Sequence, residues 1–256
     1  MARKLRLGIS PCPNDTFAFH HLVTQGRYDV ILDDIEALNI RAERGDLDIC
    51  KVSVAAYPRL REEWVLLRSG GAAGYGVGPL LVGRKPGSPS PASRAMGPKG
   101  PGGRIAIPGE RTTAALLLTL LGKFETVAMR FDRIEQAVLS GEVDQGVLIH
   151  EGRFTYADKG LVLIADLGEV WERRMRAPLP LGAVAIRRAL GADTARRVDA
   201  EIRASVEHAM AHPDASAPFV REHAQEMAPE VIRKHIDIYV NAYTIALDER
   251  AIGAMM

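Results

Sequence analysis

Short runs of aliphatic and β-branched residues, each followed by a polar turn and a helical stretch, constrain this chain more than any other feature. Leu5 to Ile9, Tyr28 to Leu32 and Leu47 to Val52 read as strands, with helical patterns from near Asp15 and over Ile35 to Arg44 between them. The alternation resumes with Arg104 to Ile107, an apolar helix Ala114 to Leu121, a strand Val127 to Phe131, a helix Ile134 to Ser140 and a strand Gly146 to Ile149. Strands alternating with helices build parallel sheets whose faces the helices cover. Between the two series, residues 84–103 are rich in Pro, Gly, Ser and Lys and carry no apolar periodicity, the composition of a linker or exposed loop.

Leu161 to Asp166 continues the second series as a strand, and a helix from Val170 to Arg174 is stopped by Pro178 and Pro180. Leu181 to Ile186 then reads as a returning strand. Val198, Ile202, Val206 and Met210 recur every four residues and mark an amphipathic helix, with two more helices over 218–226 and 229–240. The expected fold is therefore α/β with two lobes and a helical C-terminal tail. Lobe I takes residues 1–83 and 186–256, lobe II takes 104–182, and 84–103 joins them. A chain that crosses twice between lobes makes a cleft, the plan of type II periplasmic binding proteins, and clefts at domain interfaces hold small ligands.

Composition narrows the class of partner. With a net charge of +1 and both signs interspersed, no long-range field recruits nucleic acid or an anionic membrane. Cys12 and Cys50 lack metal-cluster or C-x-x-C spacing, so no metal site is expected, while a disulfide between them stays open. No run approaches the roughly 18 apolar residues of a membrane span. The start, Met1 to Arg6, leads into a strand and two prolines without an apolar export segment, so the expectation is a cytoplasmic protein. Five glycines between Ser69 and Pro79 match neither a Walker loop nor a dinucleotide fingerprint, and no nucleotide site is read there.

His150 is the first candidate for chemistry, because it follows the apolar run Val147 to Ile149 at a strand's carboxyl end. Ligands of open α/β sheets bind outside such ends, and an imidazole with a pKa of about 6.5 suits proton transfer near neutrality. A strand-capping histidine would look the same. Thr112-Thr113 after Pro108-Gly109 puts two hydroxyls at a helix start where capping needs one, so a carboxylate or other anion pocket is open beside simple capping. Ser53 stands where the next helix needs a cap and could serve that helix or a ligand. Asn14 or Asp15 is placed to cap the first helix. His208, His212, His223 and His235 read as solvated or packing residues, and His20 and His21 as surface or packing residues one turn into the first helix.

Beyond these patterns the chain resembles the 1,4-dihydroxy-6-naphthoate synthase family of the futalosine route to menaquinone. The resemblance rests on Ser10-Pro11-Cys12-Pro13-Asn14-Asp15-Thr16-Phe17, Asp34 to Asn39, Lys51-Val52-Ser53, Arg68 to Ala72, Gly76 to Leu80, Thr112-Thr113-Ala114, Ile149 to Tyr156 and Pro178 to Gly182. Together these span Leu5 to about Tyr243. The resemblance implies a lyase that needs no cofactor and converts a small-molecule substrate, cyclic dehypoxanthine futalosine, to 1,4-dihydroxy-6-naphthoate. It implies His150 as the general base, Lys51, Val52, Ser53, Thr112 and Thr113 as substrate-binding positions, and Asn39 as a further polar contact. Two rivals share the fold: a chorismate dehydratase of the same pathway and a solute-binding protein without catalysis. Oligomeric state is left open.

Overall fold

The computed structural model describes residues 3–85, 103–224 and 228–255. Most of the expected 84–103 loop, residues 86–102, lies outside them. The chain divides into two compact units, residues 1–74 with 177–256, and residues 75–176.

The first unit opens with β1 (Leu5–Ile9), α1 (Pro13–Thr24), β2 (Tyr28–Leu32), α2 (Ile35–Arg44) and β3 (Ile49–Ser53), followed by α3 (Tyr57–Leu60), β4 (Trp64–Leu66) and β5 (Ala72–Gly74). β1 pairs with β2 and β3 in parallel, as alternating strands and helices require. Helix α1 starts earlier than the prolines suggest. Pro13 sits at its first turn, where the missing N–H costs nothing, and the amides of Asp15 and Thr16 donate to the Cys12 carbonyl. Cys12, not Asn14 or Asp15, is therefore the N-cap, and it caps without its side chain.

The second unit begins at Tyr75 and holds β6 (Leu80–Arg84), β7 (Arg104–Ile107), α4 (Thr113–Leu118), β8 (Glu125–Ala128), α5 (Phe131–Ser140), β9 (Gln145–Leu148), α6 (Gly152–Thr155), β10 (Leu161–Asp166) and α7 (Leu167–Met175). Its sheet runs β10-β6-β9-β7-β8, with β7 parallel to β8 and β9 and β6 antiparallel to β9 and β10. The unit boundary thus falls before β6 rather than after it, because β6 bonds into this sheet on both edges. Phe131, expected in a strand, is the first residue of α5. Arg84, expected in the loop, closes β6 and donates from Nη1 to the carbonyls of Val138 (2.6 Å) and Val143 (3.1 Å).

The return strand β11 (Leu179–Arg187) pairs antiparallel with β3, β4 and β5 and so belongs wholly to the first unit. It starts two residues before the expected Leu181. Pro180 is accommodated at a register shift opposite Ala73, the kind of irregularity where a strand tolerates a residue that cannot donate. Helices α8 (Ala192–Ala211), α9 (Pro213–His223), α10 (Pro229–Tyr239), α11 (Ala242–Ile245) and α12 (Glu249–Gly253) complete the chain. Strand alternation sends Leu7, Ile9, Ile49, Val184 and Ile186 to one face with α1 and α8, and Cys50, Val52 and Ala185 to the other with α2 and Trp64. Val198, Ile202 and Val206 of the expected α8 stripe are fully buried, but Met210 is 45% exposed. A four-residue step advances about 40° beyond a full turn, so the fourth member rotates off the face.

Candidate functional site

In the first unit Lys51, Val52 and Ser53 form the second half of β3 and Asn39 lies on α2. Lys51 is 4% exposed, and its Nζ donates to Asp15 Oδ1 (2.6 Å) and to the Gly70 carbonyl (2.7 Å). Asp15 also accepts from Ser10 Oγ (2.7 Å) and Asn14 Nδ2 (2.9 Å). Asn14 Oδ1 in turn meets Nε2 of the buried His235 at 2.9 Å, which makes that nitrogen the donor. Gly70 takes φ +78 and any side chain there would strike Phe19, Ile202 and Val184, so only glycine brings this carbonyl to the ammonium.

Asn39 and Ser53 satisfy each other. Asn39 Nδ2 donates to Ser53 Oγ (3.0 Å) and Ser53 N donates to Asn39 Oδ1 (2.9 Å), both residues being buried. Ser53 therefore makes no side-chain cap to the 3-10 turn that follows, contrary to the capping alternative. Val52 turns a fully buried side chain into the core beside α2 and offers a ligand no side chain.

In the second unit the candidates follow the carboxyl ends of the adjacent parallel strands β7 and β9. Thr112 is the N-cap of α4. Its Oγ1 accepts from Ala115 N (3.2 Å) and donates to the Gly109 carbonyl (2.7 Å), so this hydroxyl does the work of a cap. Thr113 is the first helical residue, buried at 6% exposure. His150 stands two residues past the end of β9, partly buried, with φ +56, in the left-handed region that L residues enter at a cost. Phe131 meets its ring in a T-shaped pair with centroids 4.8 Å apart. Nearby, Arg153 donates to the Gly78 carbonyl and pairs with Asp166 at 2.9 Å.

Asp15, His235, Phe131 and Arg153 were not among the expected site residues. Asp15 and Arg153 lie inside the segments that carry the family resemblance, but spacing along the chain does not show a partner 36 positions away, as Lys51 is from Asp15. Both cysteines are free and buried, and burial pushes the Cys50 thiol pKa up, so the open disulfide is not formed. Among the described residues no group of His, Cys, Asp and Glu could hold a metal ion, and no helix is long and apolar enough to cross a membrane.

The two helix-covered sheets with a returning strand and a helical C-terminal region define the α/β, periplasmic-binding-protein-like fold class. An alkanesulfonate-binding protein of Xanthomonas axonopodis pv. citri shares it at a TM-score of 0.67 and 14% identity, over 93% of this chain and 86% of that one. A crystallised protein of Archaeoglobus fulgidus is nearer, with TM-score 0.89 and 35% identity over 98% and 94% of the two chains. The family model described as menaquinone biosynthesis matches residues 5–256, and the chain belongs to that family. Two curated relatives carry the name 1,4-dihydroxy-6-naphthoate synthase. That of Thermus thermophilus is 47% identical, over 96% of this chain and 89% of its own. That of Streptomyces coelicolor is 44% identical, over 99% of this chain and 91% of its own.

Proposed function

We propose that this chain is itself a 1,4-dihydroxy-6-naphthoate synthase, a lyase acting without a cofactor on cyclic dehypoxanthine futalosine, with His150 as its general base. The observation that carries the reading is the shared strand end: His150 after β9 and the Thr112-Thr113 turn after its parallel neighbour β7. A neutral imidazole accepts the proton from the carbon beside a carbonyl, and the electron pair left behind drives out the sugar-derived fragment. That developing negative charge needs hydrogen-bond donors, and the Thr112-Thr113 turn at the start of α4 is proposed to supply one. Lys51, Ser53, Asn39 and the Val52 backbone are proposed to bind substrate. Placing the reaction in the cytoplasm is part of the same proposal.

The test offers purified protein cyclic dehypoxanthine futalosine and chorismate in parallel. Loss of the first with release of the naphthoate is expected. Conversion of chorismate, or of neither compound, overturns the assignment. His150→Asn should then retain substrate binding while turnover falls, and undiminished turnover would remove His150 from the role.

A further inference from the structure

The β8–α5–β9 crossover brings the first turn of α5 to the same sheet edge as the carboxyl end of β9, and this is why Phe131 reaches His150. Gly146 sets how closely the two elements lie. A Cβ at that position would stand 2.9 Å from Val138 Cγ2 and closer still to Ile134 Cγ2, so the helix rests directly on the strand's backbone. At the contact, the phenyl and imidazole planes stand at 73° with centroids 4.8 Å apart. The backbone beneath the imidazole is held independently. Arg153 N donates to the His150 carbonyl (3.3 Å), while the Arg153 guanidinium bonds the Gly78 carbonyl and Asp166, which itself caps α7 through Gly168 N and Glu169 N. From the α5 side, Glu135 accepts from Lys159 Nζ (2.5 Å). These bonds fix where the imidazole is attached, and its direction from there is set by its side-chain torsions, which the rings packed against it restrict.

We propose that Phe131 is a positioning residue for His150, its ring restricting the imidazole to one rotamer on the strained loop. The proposal rests on His150 being the base. A group that sets the base's aim affects the reacting geometry more than substrate affinity, because misplacement of a catalytic group by about 1 Å costs as much as a hundredfold. Phe131→Ala should therefore lower kcat about ten- to a hundredfold while KM stays within about twofold. Phe131→Tyr, which keeps the ring, should restore kcat to within about twofold of the parent.

The deciding comparison is the double variant. If Phe131 acts through His150, Phe131→Ala combined with His150→Asn is no slower than His150→Asn alone. Independent, multiplying losses overturn the inference, as does a parent-like kcat in Phe131→Ala. Phe131→Leu, which keeps most of the apolar bulk, serves the same comparison if Phe131→Ala fails to fold, and a parent-like kcat there would equally overturn it. Failure of the underlying reading looks different: His150→Asn itself would then turn over at the parent rate.

Discussion

The first unit carries its candidate residues within β3 and on α2, the second on the loops that follow β7 and β9, and the two differ in how they treat polar groups. In the first unit, Lys51, Ser10 and Asn14 each bond Asp15, Asn39 and Ser53 bond each other, and Lys51 and Asp15 are within 5% of full burial. In the second, a partly buried imidazole stands on left-handed backbone with the Phe131 ring edge-on to it, and the Thr112 hydroxyl is occupied as a cap. A buried, mutually bonded charge set is rigid, and its cost of desolvation is met only by its internal geometry. A strained residue held by the surrounding loop is the pattern of a group placed for reaction.

The comparison breaks most sharply at His150. His150→Asn should cost turnover roughly 10² to 10⁴, with the melting temperature unchanged or raised as the left-handed position accepts asparagine readily. A large fall in stability instead would recast His150 as a structural cap. Asp15→Ala should do the reverse. It leaves a buried ammonium without its counter-charge and should destabilise folding by about 3–5 kcal/mol, while Asp15→Asn, which retains hydrogen bonding, should cost less. Denaturant melts of the two variants decide it, and equal, small losses would show that the pair contributes little to the fold. Gly146→Ala comes next. The added methyl should wedge α5 from β9 at a cost of about 1–3 kcal/mol and lower kcat with it. Lost stability with full kcat would mean that the α5 contact does not govern the imidazole.

How much of this was readable in advance depended on the range of the interaction. The alternation of apolar runs and helices placed β1, β2, β3, β7 and β9, and it located His150 and Thr112-Thr113 at strand ends, because each signal is contained in a few consecutive residues. β5 was hidden inside the glycine-rich stretch, since Ala72, Ala73 and Gly74 have no strand-like side chains and owe their conformation to β11 alone. The same holds for α1, where two prolines read as a break and one instead began the helix. At the site, Lys51 was visible as a residue but not as half of a buried pair. Phe131 looked like the end of a strand because its aromatic ring suits one. Its true setting, the first turn of α5, follows from the crossover that packs Ile134 and Val138 onto Gly146. The fold's class was local information, whereas the chemistry of the site came from contacts across the sequence.

The smallest effect separates two adjacent hydroxyls. Thr112 Oγ1 both accepts from Ala115 N and donates to the Gly109 carbonyl, and valine has the same shape with neither capacity. Thr112→Val should therefore cost about 1 kcal/mol, the usual worth of an N-cap. In a chain of this size that is a fall of about 2–4 °C in melting temperature. Thr113 begins α4 without serving as its cap, so Thr113→Val removes no N-cap and its effect is to be read in KM rather than in the loss of a cap. If the second hydroxyl contacts substrate, the same substitution should raise KM severalfold, by roughly the 0.5–1.5 kcal/mol of one hydrogen bond. The two variants thus assign the pair without a bound ligand. A rise in KM confined to Thr113→Val would make the turn a divided device, one hydroxyl holding the helix and the next holding substrate. Unchanged KM in both would reduce the turn to a cap.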